Sequence, residues 1–511
     1  MNQDEILKLQ NVVNFIEENI RNSTKTDLSY VDLRNQKNRL LTKQNHVIFG
    51  RRGAGKSSLL NELKDGSMNN GVIIKLNMED FKDIAFPNIL THILINVFEK
   101  FEFPPKKSKW YKLKKNKLFK KRRKELKKKV EQTIEELKEL LEQPEKYTLT
   151  EMSQNNHQTN TKAKGELKGI SQLNLAGERE SINREKKEST RTYEKDKLLN
   201  LKDKISNYKE ILNSYSNFYE IDHIFLVLDD FYFIPRAIQS KFIDYLHRLT
   251  KDTALFLKVA SIKFRTKLYE EDKDTYVGME INHDVMAIEL DYTLGDFKST
   301  ALFMKDILNH INSKHDAQFI NNLFAGEGFD QLCYASGGIP RDFLSLLTGL
   351  LNKIISNDIA RIKKPDVTKM AIEQISNKID SIKSENEEEF MSLEDTLYYI
   401  KYEIIENKKR NTFLVEKDEI ETNPEEYNLI KQLMDLRLIH LVNLNVSDKN
   451  VGKRYNAYMV DIGLYPNSSP RNFKQTDLKK TDDKHRKDEI RMSPKLSLKK
   501  LKLKLRRYYI I

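Results

Sequence analysis

The sequence of 511 residues predicts an α/β fold built on a parallel sheet, and three observations predict it. Asn45-His-Val-Ile-Phe-Gly50 is a short apolar strand that runs straight into a glycine-rich loop and a helix. Ile224-Phe-Leu-Val-Leu-Asp-Asp230 opens with five apolar residues in a row, which suits a central parallel strand buried on both faces. Around these two runs the apolar spacing alternates between strand-like and helical, giving strand–loop–helix–strand–helix.

The elements follow in order. Residues 1–39 read as short helices leading into the core. Residues 40–103 form the first part of the core: the Asn45–Gly50 strand, a helix from Lys56 to about Leu63, a strand over Val72–Leu76, and a helix over Asn88–Phe101 with Ile89, Ile93 and Val97 at helical spacing. Residues 104–217 read as a charged helical insertion. A basic run leads into Val130–Leu141, where Ile134, Leu137 and Leu141 repeat at helical spacing. Residues 148–192 are polar and predicted to be flexible, and Lys195–Leu212 is helical again. Residues 218–292 resume the core with Ile224–Asp230, a helix over Pro235–Leu249, and strands over Leu255–Ile262 and Met286–Leu290. Residues 293–385 predict a helical lid, 386–465 a third unit, and 466–511 a basic tail.

Composition narrows the class. Charged residues make up 32% and hydrophobic ones 39%, as in a soluble, highly charged protein. No run of 18 apolar residues occurs, so no membrane span is expected. The start, MNQDEILKLQ, has neither a basic nor an apolar signal region. Cys333 is the single cysteine, which excludes an intramolecular disulfide and a cysteine zinc site; it is expected to be a small core residue. A reducing cytoplasm fits all of this, and the Lys-, Asn- and Ile-rich usage hints at an AT-rich bacterial genome. The net charge of +13 is uneven: Lys106–Lys129 carries 15 Lys/Arg against Glu125, and Arg471–Arg507 carries 15 against 5 acids, so the remainder has a net charge of −11. Basic charge held in two segments is how a nucleic-acid or acidic-surface contact is often built, though Lys-rich helices are often only solvated.

Gly50-Arg-Arg-Gly-Ala-Gly-Lys-Ser57 fits G-x-x-x-x-G-K-[ST] and sits between a strand and a helix, the context the motif requires. The glycines let consecutive N–H groups fold around phosphate. The candidate nucleotide-binding residues are therefore Gly50, Arg51, Arg52, Gly53, Ala54, Gly55, Lys56, Ser57 and Ser58. Lys56 is expected on the β- and γ-phosphates and the Ser57 hydroxyl on Mg²⁺. Asp229, at the end of the second apolar run, is placed to share that Mg²⁺, and Asp230 to orient or deprotonate the attacking water. ATP and Mg²⁺ are the expected cofactors.

The arrangement resembles the AAA+ superfamily, in its origin-recognition (initiator) branch and the neighbouring STAND switch ATPases. The resemblance covers about residues 30–110 and 218–465. It implies that Leu255–Ile262 carries sensor 1, with Ser261 at the matching position, where Asn or Thr is more usual. It implies that Gly337-Gly-Ile-Pro-Arg341 is the sensor 2 motif of the lid, with Arg341 touching the γ-phosphate; the plainer reading is a Gly-Gly helix stop with an exposed Arg341. Two departures matter. Asp229-Asp230 replaces the Asp-Glu of most AAA+ motors, so slow, switch-like ATP hydrolysis is expected. No arginine finger can be placed: Arg248 and Arg265 lie near the right stretch, which leaves ring assembly open.

The third unit resembles a winged helix. Leu393 to about Asn407 and Pro424–Leu436 read as helices, the latter with Tyr427, Ile430, Leu433 and Met434 inward. Leu438–Val442 and Tyr455–Val460 read as a hairpin whose tip, Ser447–Arg454, is the wing. In the initiator branch such a domain grips DNA, which makes Lys453 and Arg454 candidate DNA contacts; winged helices also dock proteins. His440 reads as a packed residue, and no His/Asp/Glu cluster has metal-ligand spacing. In the tail, Lys495–Ile511 alternates Lys and Leu, which suits an amphipathic strand, a DNA-hugging arm or a partner-binding peptide; a helix there would not segregate its leucines.

These readings converge on an ATP-dependent, DNA-associated switch. The rival is a STAND-type scaffold that assembles with an effector protein, with a homo-oligomer as a further partner and DNA inessential. A third reading, a structural-maintenance-like ATPase with a coiled-coil arm, lacks its signature motif. Bacterial ATPases of this resemblance often sit in mobile-element or phage-defence loci, a context the residues do not derive.

Overall fold

The computed structural model describes residues 1–20, 30–63, 71–104, 113–142, 197–272, 275–383, 387–447, 452–465, 472–476 and 488–508. The expected flexible stretch 148–192 lies outside them.

Strands β1 (His46–Phe49), β2 (Gly71–Asn77), β3 (His223–Asp229), β4 (Leu255–Ser261) and β7 (Met286–Glu289) form a parallel sheet in the order β2-β3-β4-β1-β7. The chain is thus a mixed α/β protein on a five-stranded parallel sheet. β3 is an interior strand but not the middle one; β4 takes that place. Side chains alternate across the pleat. Leu226, Leu228 and Val259 pack on the side of the helices Asn88–Glu99 and Arg236–Thr250. Phe225, Val227 and Ala260 pack on the opposite side, with Leu59 and Leu60 of the short helix Lys56–Asn61. Burying each of these Leu, Val and Phe side chains contributes about 1.5–3 kcal/mol.

Between β4 and β7 the chain makes a hairpin, β5 (Tyr269–Asp272) and β6 (Thr275–Gly278), whose run of acids hid its strand character. In the insertion, the arm helix Leu113–Glu142 buries Leu126, Val130, Leu137 and Leu140 in the same core cluster as the helices Asn88–Glu99 and Ile205–Tyr219.

The N-terminal segment differs from expectation. Among its described residues, a 17-residue helix, Gln3–Asn19, capped by Asn2 and Glu5, packs on the lid, while a short helix, Gln36–Leu40, leads into the sheet. Leu9, Val12, Val13 and Ile16 recur at helical spacing and share a core cluster with the lid helix Pro340–Ile355. Phe297–Lys314, Gly328–Ala335 and Lys364–Lys383 complete the lid, with Cys333 buried among them.

The C-terminal unit has helices Glu387–Ile400, Lys417–Thr422 and Pro424–Asp435, and an antiparallel sheet in the order β8-β10-β9: β8 (Thr412–Glu416), β9 (Ile439–Ser447), β10 (Arg454–Val460). The tail requires a correction. Its described parts are folded onto this unit: Leu414 N–H donates to Pro494 O at 2.8 Å and Leu496 N–H to Leu414 O at 2.8 Å. Leu498–Tyr508 is a helix, not a strand; it buries Leu498 and Leu501, three residues apart, and leaves Leu503 exposed. Among the described residues no helix is long and apolar enough to cross a membrane.

Candidate functional site

The parallel register brings the carboxyl ends of the strands together, where ligands of open α/β sheets bind. Phe49, the last residue before the glycine-rich loop, lies opposite Ser261 of β4 and Glu289 of β7, and Asn77 lies opposite Asp229. Gly53 and Gly55 take φ of +83° and +94°, backbone that a side chain would strain. Lys56 then starts a helix, so that free N–H groups turn toward the loop.

Lys56 is 6% exposed. Its ammonium donates to Gly50 O at 3.0 Å and Arg51 O at 3.2 Å, holding the loop closed. Burial pushes its pKa down, opposed by Asp230, Asp229 and Asp291. Ser57 hydrogen-bonds the Asp229 carboxylate, whose pKa burial and then Asp230 push up. Such a carboxylate gains most from a cation beside it. Asp230 has φ of +51°, unusual for a non-glycine residue, and its N–H donates to Asp229 Oδ1 at 2.9 Å.

A cavity of about 330 Å³ opens over these groups, within the range of small-molecule sites. Lys56, Ser57, Ser58 and Asp230 line it from the core, and Pro340, Arg341 and Leu344 from the lid. The lid reaches it because Gly337 and Gly338 both adopt positive φ before Pro340 starts the helix. A Cβ at Gly337 would collide with the His440 ring, and one at Gly338 with Tyr292 O. Arg341 lines the cavity from the lid while its side chain stays exposed to solvent. Burial, then Arg437, lower its pKa, while Asp342 and Asp230 oppose the shift.

Not every expected residue reaches the cavity. Arg52, Gly53 and Gly55 line it, but Gly50, Arg51, Ala54 and Asp229 do not. The Arg51 guanidinium turns to the lid, donating to Tyr292 O and Gly337 O at 3.0 Å each. Ser261 is corrected too: it is fully buried at the end of β4, its Oγ 2.6 Å from Thr266 Oγ1, and it does not line the cavity. Thr266 donates its own proton to Ile262 O, so Ser261 donates to Thr266 and its hydroxyl is committed to a turn. Of the arginine-finger candidates, Arg248 pairs with Asp244 at 2.9 Å and Arg265 with Asp435 at 2.6 Å. Lys453 pairs with Glu416 at 2.6 Å, while Arg454, opening β10, is exposed. His440 is packed as expected, its Nε2 2.7 Å from Asp461 Oδ2.

Asn19, Ile20, Glu79 and Tyr232 also line the cavity and were not foreseen. Tyr232 comes two residues after the acid pair and stands beside Arg52, a signal that could have been read. Asn19 and Ile20 gave none, since only the docking of the N-terminal helix brings them there.

No protein-family model matches the chain, and no curated protein matches it. Solved structures with an overall likeness include a Drosophila ORC structure bound to DNA, at 10% identity and TM-score 0.35, covering 89% of this chain and 90% of that one. The Aeropyrum pernix ORC1 protein in complex with DNA is 12% identical at TM-score 0.31, covering 90% of each chain. A Walker-type ATPase of Pyrococcus abyssi is 10% identical at TM-score 0.33, covering 89% and 93%. Likenesses this distant decide nothing about what this chain does.

The site's own chemistry says more. Among the described residues no group of three or more His, Cys, Asp or Glu could hold a metal unaided. A hydroxyl and a carboxylate already in contact, Ser57 and Asp229, fit a Mg²⁺ ion that takes its remaining ligands from phosphate and water. A second cavity of about 360 Å³ lies between the lid and the C-terminal unit, beside Asp342, Arg437 and Asp461, but has no phosphate-loop geometry.

Proposed function

We propose that this chain is a Mg²⁺-dependent ATPase working as a slow nucleotide switch, of the AAA+ kind that resembles the origin-recognition branch. The observation that carries the reading is the convergence on one cavity of Lys56, Ser57 and Asp230 from the core and Arg341 from the lid. Lys56 would leave its loop carbonyls for the β- and γ-phosphates. Ser57 and Asp229 would hold Mg²⁺, which offsets phosphate charge when bound. Asp230 would orient the attacking water, and Arg341 would meet the γ-phosphate. Ser261 receives no nucleotide contact in this reading. Lys56→Ala should abolish ATP turnover and lower ATP affinity at least tenfold in isothermal titration, with the fold checked by thermal melting. A variant that binds and hydrolyses ATP like wild type would refute the site.

DNA association belongs to the proposal and rests on charge. The basic segments Lys106–Lys129 and Arg471–Arg507, with Lys453 and Arg454 of the wing, would release counterions on a phosphate backbone. The three-stranded sheet and neighbouring helices of residues 386–465 support a winged-helix reading. One observation favours the STAND-type alternative, in which nucleotide state controls docking of an effector protein. The turn after helix Pro424–Asp435 ties the C-terminal unit to both lobes of the site, Asp435 to Arg265 and Arg437 to Asp342. ATP turnover stimulated by duplex DNA favours the first reading; turnover indifferent to DNA favours the second. The defence or mobile-element setting draws nothing from the structure, and gene neighbourhood is its test.

A further inference from the structure

The arm helix, Leu113–Glu142, carries an open row of basic charge. At about 100° per residue, Lys117, Lys121, Lys124 and Lys128 fall within about 60° of one another on the helix circumference and span about 16 Å of its length. All four are exposed. The residues that anchor the arm, Leu126, Val130, Leu137 and Leu140, are buried and lie on the opposite side of the same helix. Lys129 pairs with Glu210 at 2.8 Å and Lys138 with Glu99 at 2.7 Å, so the arm is clipped to its neighbours by other side chains. Lys117, Lys124 and Lys128 pair with no acid among the described residues, and Lys121 reaches only Glu125 of its own helix at 3.9 Å.

The same face then changes sign. Glu135, Glu139 and Glu142 continue the stripe's alignment toward the C-terminus, all exposed. The positive surface thus has an end, at about Lys128, and beyond it an anion would be repelled. Arg454 of the wing and Lys499 and Lys500 of the tail helix are exposed as well, without an aligned row of this length among the described residues. Lys453 is committed to Glu416, and Leu496, Leu498 and Leu501 hold the tail's described residues against the C-terminal unit.

We infer that the Lys117–Lys121–Lys124–Lys128 face of the arm helix is a docking surface for the phosphate backbone of a nucleic-acid duplex. This rests on the DNA-associated reading and gives it a location. Charge complementarity selects the occupant. A duplex carries one phosphate charge per about 1.7 Å of axis, dense enough to meet every lysine of a 16 Å stripe. A membrane surface would need an apolar face beside the charge, and Leu118 is the one large hydrophobic residue exposed on the described part of the arm. A protein partner would need a buried apolar anchor, which the stripe lacks. Contacts of this type position the duplex without reading its sequence.

The test uses the full chain and a labelled mixed-sequence duplex, followed by fluorescence anisotropy at several salt concentrations. Replacing Lys117, Lys121, Lys124 and Lys128 by alanine keeps helix propensity and leaves the anchoring face untouched. Affinity should fall about 10- to 100-fold, and the slope of log affinity against log salt should shrink by about 3–4. A second variant, Glu135→Lys with Glu139→Lys, extends the stripe and should tighten binding and steepen the slope. ATP binding should stay at wild-type level in both variants. Wild-type binding that neither variant changes overturns the arm surface and leaves DNA association standing on the wing and tail. No duplex binding by wild type at 50 mM salt overturns the arm surface and the DNA-associated reading together, while the ATP site stands. Lysine-dependent binding to phosphatidylserine vesicles without duplex binding overturns it in favour of a membrane surface.

Discussion

The main-chain N–H of Arg341 donates to the carbonyl oxygen of Gly53 at 3.3 Å, so the first turn of the lid helix is bonded to the phosphate loop itself. A Cβ at Gly53 would stand 2.6 Å from the Cβ of Arg341. Arg51 closes the same junction from the other side by donating to Gly337 O. Loop and lid therefore share a backbone contact. The first prediction is that Gly53→Ala opens this junction. A side chain at positive φ costs about 1–2 kcal/mol, and the clash with Arg341 adds to it. Thermal melting should fall by several degrees, and the gain in melting temperature on adding Mg-ATP should shrink or vanish. An unchanged ATP-induced shift would show that the junction does not matter for binding.

Asp230 and Arg341 face the same cavity from opposite lobes, so their loss should separate chemistry from sensing. Asp230→Asn keeps Ser57 and Asp229 for Mg²⁺ and should retain ATP while losing at least 100-fold in turnover, the scale of a lost general base. Arg341→Ala should weaken ATP binding while sparing ADP. Nucleotide titrations with both ligands decide it; equal loss of ADP and ATP affinity would remove Arg341 from the γ-phosphate.

The pair Arg265–Asp435 joins the core to the C-terminal unit, and Asp435 is 3% exposed. Burial raises its pKa and Arg265 opposes that rise, so the carboxylate depends on its partner. Asp435→Ala strands Arg265. Because that guanidinium is partly open to water, the cost should be about 1–3 kcal/mol, less than for a fully buried pair. The double variant Arg265→Met with Asp435→Leu should lose less than either single change in urea unfolding. Strict additivity would mean that the two side chains do not couple.

How much of this could be read from the residues depended on range. The phosphate loop, the acid pair and the strands of the parallel sheet are written in local runs, most plainly in β3, whose five consecutive apolar residues are buried. Pro424–Asp435 and the β9–β10 hairpin were equally legible from periodicity. What escaped depends on distant partners. β8 became a strand by pairing with β10, and the tail became a helix where the helices Glu387–Ile400, Pro424–Asp435 and Lys417–Thr422 offered it a surface. Ser261 misled for a related reason: its place at the strand end was right, but Thr266, five residues on, takes its hydroxyl. Asn19 and Ile20 enter the cavity only through tertiary docking, which no local pattern encodes.

The last prediction concerns acid stability and a pair remote in sequence. His46 opens β1, and its Nδ1 lies 3.0 Å from the ammonium of Lys258 on β4, which also donates to Thr42 O at 2.7 Å and Gln44 O at 2.9 Å. Burial first, then the Lys258 charge, push the His46 pKa down from its usual 6.5 to about 3. The folded imidazole therefore stays neutral and accepts from Lys258, while the unfolded one protonates as pH falls below 6.5. The unfolded state then binds the extra proton, so this stability is fully present above pH 6.5 and is lost progressively down to about pH 3. Between pH 7.5 and 5 the His46 share of the loss should reach about 2 kcal/mol at 1.36 kcal/mol per unit, as a ceiling; Lys258, whose pKa burial lowers to about 7, adds a loss that wild type and variant share. His46→Gln keeps an acceptor for Lys258 but cannot take a proton. Urea unfolding at the two pH values should show wild type losing about 2 kcal/mol more than this variant on acidification. Equal losses would mean that His46 protonates in the folded protein, and that Lys258 gives up its contact to let it.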